Sequence, residues 1–524
     1  MSRSLQQLTV AARQAVRAKD WAQVKVCARE IISRSRTSAE GYFLLGLFEK
    51  ASNRREQSIN AFSRALSLDE GRYDAAVELA GQYLRLHRYG EAVSLIEQCV
   101  TLMHNSPLYL DMAGTICTNA GVPEKGWPLY IRANELQPDV DSLQSNLAAC
   151  SVYVGEIDKA KDIYRRLLEK TPDHQRNHYE LSRLGTVNDS THIDEMKAVL
   201  ESTKLKPERN IYLYYALGKE LEDLERWDEA FDYYKKAGDA AASVANYNVD
   251  TDIGLINKVV EVCSKDWLAD VPIERVPDAL GKVPVFIVGL PRTGTTLTER
   301  ILSSHSEIES AGESYLMQLA IKQESGIRNN DRISPSIIEA ASKKNIVRVA
   351  ENYLRAISYK LGDKPMFIEK FPENFLYLGF IAKAFPEARL IHLNRNPMDA
   401  CFAMYKQSFF RYAYSLDDLG PYYVAYDRLH NHWRETLGDR LVDVDYEAMV
   451  SDQEVETRKL LDKIGLEFDA ACLTFEKNKA ASNTASTVQI REKIHTRSVY
   501  RWKRFEEQLL PLRNYLEGAG ISVE

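Results

Sequence analysis

The sequence predicts an α + α/β chain: an α-solenoid of helix pairs, then an α/β domain on a central, mostly parallel sheet. Three observations carry this. Bulky and small residues recur with a spacing of 34 through the first half. After about residue 264 that period stops, and short β-rich runs alternate with helical stretches. A glycine-rich segment at 289–296 joins one such run directly to a helix. The 524 residues are 45% apolar and 27% charged, an ordinary balance for sizeable cores. With a net charge of −7, general attraction to nucleic acid or an anionic membrane is not expected. Any anion site must be local, built from a few cations and backbone N–H groups.

Seven cysteines lie at 27, 99, 117, 150, 263, 401 and 472. Their odd number, with no C-x-x-C pair, argues against a disulfide framework or a zinc site. They are expected as small buried residues of a reducing compartment. The N-terminal stretch has no continuous apolar region, and no later run is long enough to span a bilayer. The expectation is a cytoplasmic protein without a membrane span.

The repeat comes first along the chain. Leu45, Leu79, Ala113 and Leu147 share one register, each followed by a small residue: Gly46, Ala80, Gly114, Ala148. Further on come Ser58, Ala92, Gly126 and Ala160, then the bulky Phe62, Ile96, Tyr130 and Tyr164. Two antiparallel helices approach closely only where facing side chains are small, and the large residue fills the adjoining groove. Pro138 and Pro172 stand where a second helix must stop. The pattern resembles the tetratricopeptide repeat over about residues 5–260. Its register slips after Leu181 and returns at Leu217, Gly218, Ala230, Tyr234 and Ala237. The resemblance implies a concave surface that takes a peptide or protein partner; a spacing scaffold or a homodimer contact is equally open.

Three prolines at 272, 277 and 284 mark the boundary: residues 1–263 are assigned to the array, 264–282 to a linker, and 283–524 to the second domain. Strands are expected at Val285–Val288, Met366–Glu369, Arg389–Leu393 and Leu441–Val444. The first runs into Gly289-Leu-Pro-Arg292-Thr293-Gly294-Thr295-Thr296, and a helix follows. Glycines free the turn, and the N–H groups opening the helix point at an anion. The spacing is that of the nucleoside triphosphate loop, G-x-x-x-x-G-K-[ST], except that Thr295 stands where the lysine belongs. Without that lysine to bridge β- and γ-phosphates, the loop suits a 5′-phosphate, with Arg292 supplying local charge.

In its Pro-Arg-x-Gly-Thr-Thr form the loop resembles that of the sulfotransferase superfamily. The likeness covers about 283–510. It is strongest to bacterial sulfotransferases carrying tetratricopeptide repeats, and extends more distantly to tyrosylprotein sulfotransferases. It implies a P-loop-like α/β domain behind a tetratricopeptide-repeat α-solenoid. The implied donor is 3′-phosphoadenosine 5′-phosphosulfate, the acceptor a hydroxyl, protein tyrosine among the candidates, and no metal takes part. Arg292, Thr293, Gly294, Thr295 and Thr296 would hold the 5′-phosphosulfate. Arg395, in Asn394-Arg-Asn-Pro397, would hold the 3′-phosphate. The family places a serine eight residues later; here that position is Ala403, and Ser408 lies too far along to replace it.

Lys370, in Lys-Phe-Pro-Glu-Asn374, corresponds to the lysine that stabilises charge on the leaving oxygen. A surface lysine paired with Glu369 or Glu373 is the plainer reading. Glu313, in Ser310-Ala-Gly-Glu-Ser314, is the base candidate, against a simple helix cap. His305 is a rival base, read as structural at the end of its helix. Tyr446, Ser486 and Arg491 are expected nucleotide contacts, the last two on a flap over residues 484–491. Together these imply a sulfotransferase in which Glu313, Lys370 and Arg292 are catalytic. A kinase would need the missing lysine; a non-catalytic adaptor with a degenerate nucleotide domain is the other alternative, favoured by Ala403.

Overall fold

The computed structural model of the protein describes residues 3–270, 281–484 and 486–524. Residues 271–280, most of the expected linker, lie outside the described residues, as does position 485 within the expected flap. The chain divides into two compact units, Met1–Val154 and Gly155–Glu524.

The first unit is a succession of antiparallel helix pairs. In the pair Ala39–Ala51 and Arg55–Leu68, Gly46 lies directly under the ring of Phe62. A Cβ on Gly46 would sit 2.5 Å from that ring. In the pair Pro107–Asn119 and Pro123–Leu136, Gly114 takes the same place under Tyr130, with 2.9 Å available. The spacing of small and large residues thus reports real inter-helix contacts. Phe43 and Phe62 are fully buried, their ring centroids 5.8 Å apart, and Leu79 joins their cluster. The helix Pro123–Leu136 stops two residues before Pro138, as the sequence requires.

The second unit begins with further helices and closes on a sheet. The returning register is found in the pair Ile211–Asp223 and Trp227–Val244, where Gly218 lies under Tyr234 at 2.6 Å. Five parallel strands follow: β1 (Val283–Gly289), β2 (Ile308–Ser310), β3 (Met366–Lys370), β4 (Arg389–Asn394) and β5 (Leu441–Asp445). Their order is β2-β3-β1-β4-β5. The four expected strands are present, and β2 is an addition. Its three residues are too few to show alternation, yet they pair with Met366–Ile368 of β3. Val285, Ile287, Ile368, Ile391 and Val442 form the core on one face, which is why these strands read as continuous apolar runs.

The chain leaves β1 for one side of the sheet (β2, β3) and then crosses to the other (β4, β5). Ligands of open α/β sheets bind outside the carboxyl ends at such a reversal. The register places Gly289 of β1 opposite Leu393 of β4, so the glycine-rich turn and the Asn394–Pro397 turn emerge side by side. All seven cysteines are buried and unbridged. Among the described residues no helix is long and apolar enough to cross a membrane.

Gly46→Ala should destabilise the protein by about 1–3 kcal/mol, because the Phe62 ring must leave its rotamer or the helices must part. Urea midpoints would show this, and Gly46→Ala combined with Phe62→Leu should recover part of the loss.

Candidate active site

Each strand end brings one piece of chemistry. After β1 the backbone turns at Gly289 (φ 142°), Arg292 (φ 69°) and Gly294 (φ 97°) before the helix Thr295–Ser303. A left-handed arginine is strained for an L side chain, so surrounding contacts must hold it. Those contacts are present: Thr293 Oγ1 donates to the Leu290 carbonyl at 2.7 Å, and Arg395 Nη1 donates to the Arg292 carbonyl at 2.6 Å. Gly294 cannot carry a side chain, because its Cβ would meet the Tyr446 ring at 2.6 Å. Thr295 and Thr296 are buried in the first turn of the helix.

The Arg292 guanidinium donates to Ser486 Oγ and, at 3.0 Å, to Gln489 Oε1. The loop and the 484–491 segment are therefore linked through this side chain. Burial pushes its pKa down to about 10, and the nearby guanidiniums of Arg395 and Arg183 add to the shift. Arg395 also donates to the Ser498 carbonyl at 2.6 Å and lies over the Tyr446 ring, 4.7 Å from its centroid.

A cavity of about 470 Å³ opens here, lined by Arg292, Gly294, Thr295, Thr296, Arg395, Tyr446 and Ser486. Ala403 and Lys406 are also on its wall. Ser408 turns elsewhere, its hydroxyl 3.1 Å from the Tyr179 hydroxyl. Of the remaining expected residues, Thr293 folds the loop, and the Arg491 guanidinium lies against Gly155 rather than on the cavity wall.

Lys370 and Glu313 occupy the neighbouring strand ends and do not line this cavity. Lys370, opposite Ile287 in the register, is fully buried, so the surface-lysine reading fails. Its ammonium contacts the Glu313 carboxylate and lies 3.6 Å from Glu299. β2 places Glu313: the strand pairs with β3, Ala311 N–H continues the pairing to Ile368, and Lys370 N–H donates to Gly312. Glu313 caps nothing, since the next helix, Leu316–Ser325, has Tyr315 at its N-cap. Burial against this cluster raises the Glu313 carboxyl above its ordinary value, although Lys370 opposes the shift and 31% of the side chain stays exposed.

His305, read as structural from the sequence, is buried and bonds to a partner other than the end of its own helix. Its Nε2 lies 3.0 Å from the Glu467 carbonyl and its Nδ1 accepts from Glu307 N–H, so it ties in a distant segment rather than its own helix end. On the other face of β4, His392 and His430 stack at 3.8 Å and both reach Asp443, at 3.3 and 2.9 Å. Their ligand-type atoms lie within 4.8 Å of one another, the one such group among the described residues. Arg434 Nε approaches the same carboxylate at 3.3 Å, and the set ties β5 to the helix Leu416–Leu437.

Residues 284–470 match the sulfotransferase family and residues 39–72 the tetratricopeptide repeat. The C-terminal part of this chain carries a sulfotransferase-family domain. An uncharacterized protein of Aquifex aeolicus (strain VF5) is 27% identical over 374 residues, 70% of this chain and 48% of that protein. A protein-tyrosine sulfotransferase of Drosophila melanogaster is 23% identical over 238 residues, 44% of this chain and 47% of that protein. The chain thus spans about half the length of both relatives. The sulfotransferase domain of the Synechococcus PCC 7002 olefin synthase aligns with 44% of this chain and 91% of its own, at 21% identity and a TM-score of 0.33.

Within the sulfotransferase domain, sequence reasoning missed Glu299 and β2, and it placed Glu369 only as a partner for Lys370. A glutamate on the buried face of the loop helix was the available signal for Glu299, whose Oε1 accepts from Ser310 Oγ at 2.5 Å. Glu369, next to Lys370, points to the opposite face of the sheet, is fully buried and accepts from Ser314 Oγ. Burial pushes its carboxyl up to about 7, against the hydrogen bonds that favour the ionised form. Between the ordinary carboxyl value and about 7 the folded chain holds a proton that the unfolded chain has released. This stabilisation is complete below that ordinary value and is lost as the pH rises through 7. Glu369→Gln should therefore flatten the fall in melting temperature between pH 5 and pH 8, measured beside the wild type.

Proposed function

We propose that the chain moves a sulfuryl group from 3′-phosphoadenosine 5′-phosphosulfate to an acceptor hydroxyl. The observation that carries this reading is the pairing of two features at adjacent strand ends. One is a phosphate loop with Thr295 in place of lysine; the other is the buried Lys370 paired with the partly exposed Glu313 at the neighbouring strand ends. A triphosphate loop would lack its bridging cation here, whereas a 5′-phosphosulfate meets the opening N–H groups of the helix Thr295–Ser303.

The donor supplies an activated sulfuryl group with a good leaving phosphate. The residues do the rest by position and charge. Arg292, Thr293, Gly294, Thr295 and Thr296 hold the 5′ end. Arg395 and Tyr446 hold the nucleoside and its 3′-phosphate, and Ser486 and Arg491 belong to the covering segment. Glu313 takes the acceptor proton on its carboxylate as the new O–S bond forms. Lys370 faces the oxygen that keeps the electron pair of the broken S–O bond. The Lys370–Glu313 contact supports this division, because the lysine that leaves Glu313 for the donor frees that carboxylate to act as a base. The raised Glu313 carboxyl points the same way. The acceptor we favour is protein tyrosine, the substrate class in the name of the Drosophila relative, presented as a peptide or protein to the repeat array.

Lys370→Ala and Glu313→Ala should each lower kcat by about 10²–10⁴-fold while a cooperative melting transition persists, at a lower temperature in Lys370→Ala. Wild-type turnover in either variant removes that residue from the mechanism. Calorimetric titration should show binding of 3′-phosphoadenosine 5′-phosphate without metal and in preference to ATP. Preference for ATP with Mg²⁺ would mean a kinase, and binding of neither an adaptor.

A further inference from the structure

The wall of the cavity is not made by the sulfotransferase domain alone. Helices preceding the sheet, in the same compact unit, contribute Tyr179, Arg183, Lys219 and Glu222. Most charges on this wall already have partners. Glu222 is buried, accepts from Lys406 at 2.8 and 2.9 Å, and meets Arg501 at 3.0 Å. Lys219 meets Asp223 at 2.6 Å. Two guanidiniums of the sulfotransferase domain are different. Among the described residues Arg292 hydrogen-bonds to uncharged side-chain acceptors and Arg395 to backbone carbonyls, and the Nε of each is buried without a hydrogen-bond partner.

Arg183 joins them from the array. It stands at the C-cap of the helix Gln175–Ser182 and lies 5.1 Å from the centroid of the Tyr179 ring. It forms an ion pair with Glu180 at 3.6 Å, a distance longer than a hydrogen bond, and that carboxylate is shared with Arg176 at 3.5 Å. Its charge is felt at Arg292, where it adds to the downward shift caused first by burial and then by Arg395. Three guanidiniums of one sign converging on one cavity repel one another unless an anion lies between them. Ala403, on this same wall, offers no hydrogen-bonding side chain.

We infer that Arg183 is a donor-site residue, contacting a phosphate of the bound nucleotide from the helical array. This rests on the nucleotide reading above and assigns it a ligand outside the sulfotransferase domain. The array then has a second task besides any partner it recruits: it completes the anion site.

The test is calorimetric titration of the full chain with 3′-phosphoadenosine 5′-phosphate, using wild type, Arg183→Ala and Arg183→Lys. Losing one charge-assisted contact should weaken binding roughly tenfold to a hundredfold in Arg183→Ala. Arg183→Lys should recover part of it, with nucleotide-free melting temperatures unchanged. Equal affinity in wild type and Arg183→Ala overturns the inference while leaving the nucleotide reading intact. No binding by the wild type sinks the nucleotide reading itself. Should Arg183→Ala fold poorly, wild-type protein treated with phenylglyoxal decides. The nucleotide should protect Arg183 from modification, and modification at an unchanged rate in its presence overturns the inference.

Discussion

Parallel pairing is the constraint on which the rest depends. Because all five strands run the same way, every turn that follows a strand leaves from one edge of the sheet. Arg292, Glu313, Lys370, Arg395 and Tyr446 are far apart in sequence, yet each stands at or just beyond a carboxyl end. A single antiparallel strand in the middle would send its turn to the opposite edge and break the set. The burial of β1, flanked by β3 and β4, fixes the register that brings the glycine-rich turn beside the Arg395 turn.

Placing so many charges at one edge is costly, and two different arrangements offset the cost. On the β2–β3 side the charges neutralise one another: Lys370 is fully buried but has Glu313 and Glu299. Removing one partner of such a group leaves a buried charge uncompensated, which costs more than the pair contributes. On the β1–β4 side the guanidiniums lean on uncharged carbonyl and hydroxyl oxygens, weaker partners than a carboxylate. The first arrangement is closed on itself; the second leaves guanidinium charge without a carboxylate hydrogen bond among the described residues.

Much of this was legible in the sequence because it depends on local rules. The Gly289 and Gly294 positions need positive φ, and the small-over-large pairs Gly46–Phe62 and Gly114–Tyr130 follow from helix contact distance. Four strands declared themselves as apolar runs. β2 did not, since Ile308–Ser310 is stabilised by pairing with β3 rather than by its own pattern. The same reason hid the environment of Lys370. Nothing near it in the chain announces Glu299, which reaches it through the fold of the loop helix. For Arg292 the residue was legible and its partner was not, because Gln489 and Ser486 are almost two hundred positions away.

The repeat register carries a further lesson. Its most regular leucine and alanine positions, Leu45 to Leu147, all fall in the unit Met1–Val154, whereas the slip after Leu181 falls in the unit that contains the sheet. A helix that packs only on its neighbours can keep one pattern, since every contact is the same. One that also faces another domain must present different residues on its second face. Tyr179 meets Ser408 just before the slip, Arg183 reaches the cavity just after it, and Lys219 reaches the same cavity where the register has returned. Both the slipped helix and the in-register pair Ile211–Asp223 and Trp227–Val244 therefore face the sheet-bearing part of their unit, so a second packing face does not by itself erase the small-over-large pattern.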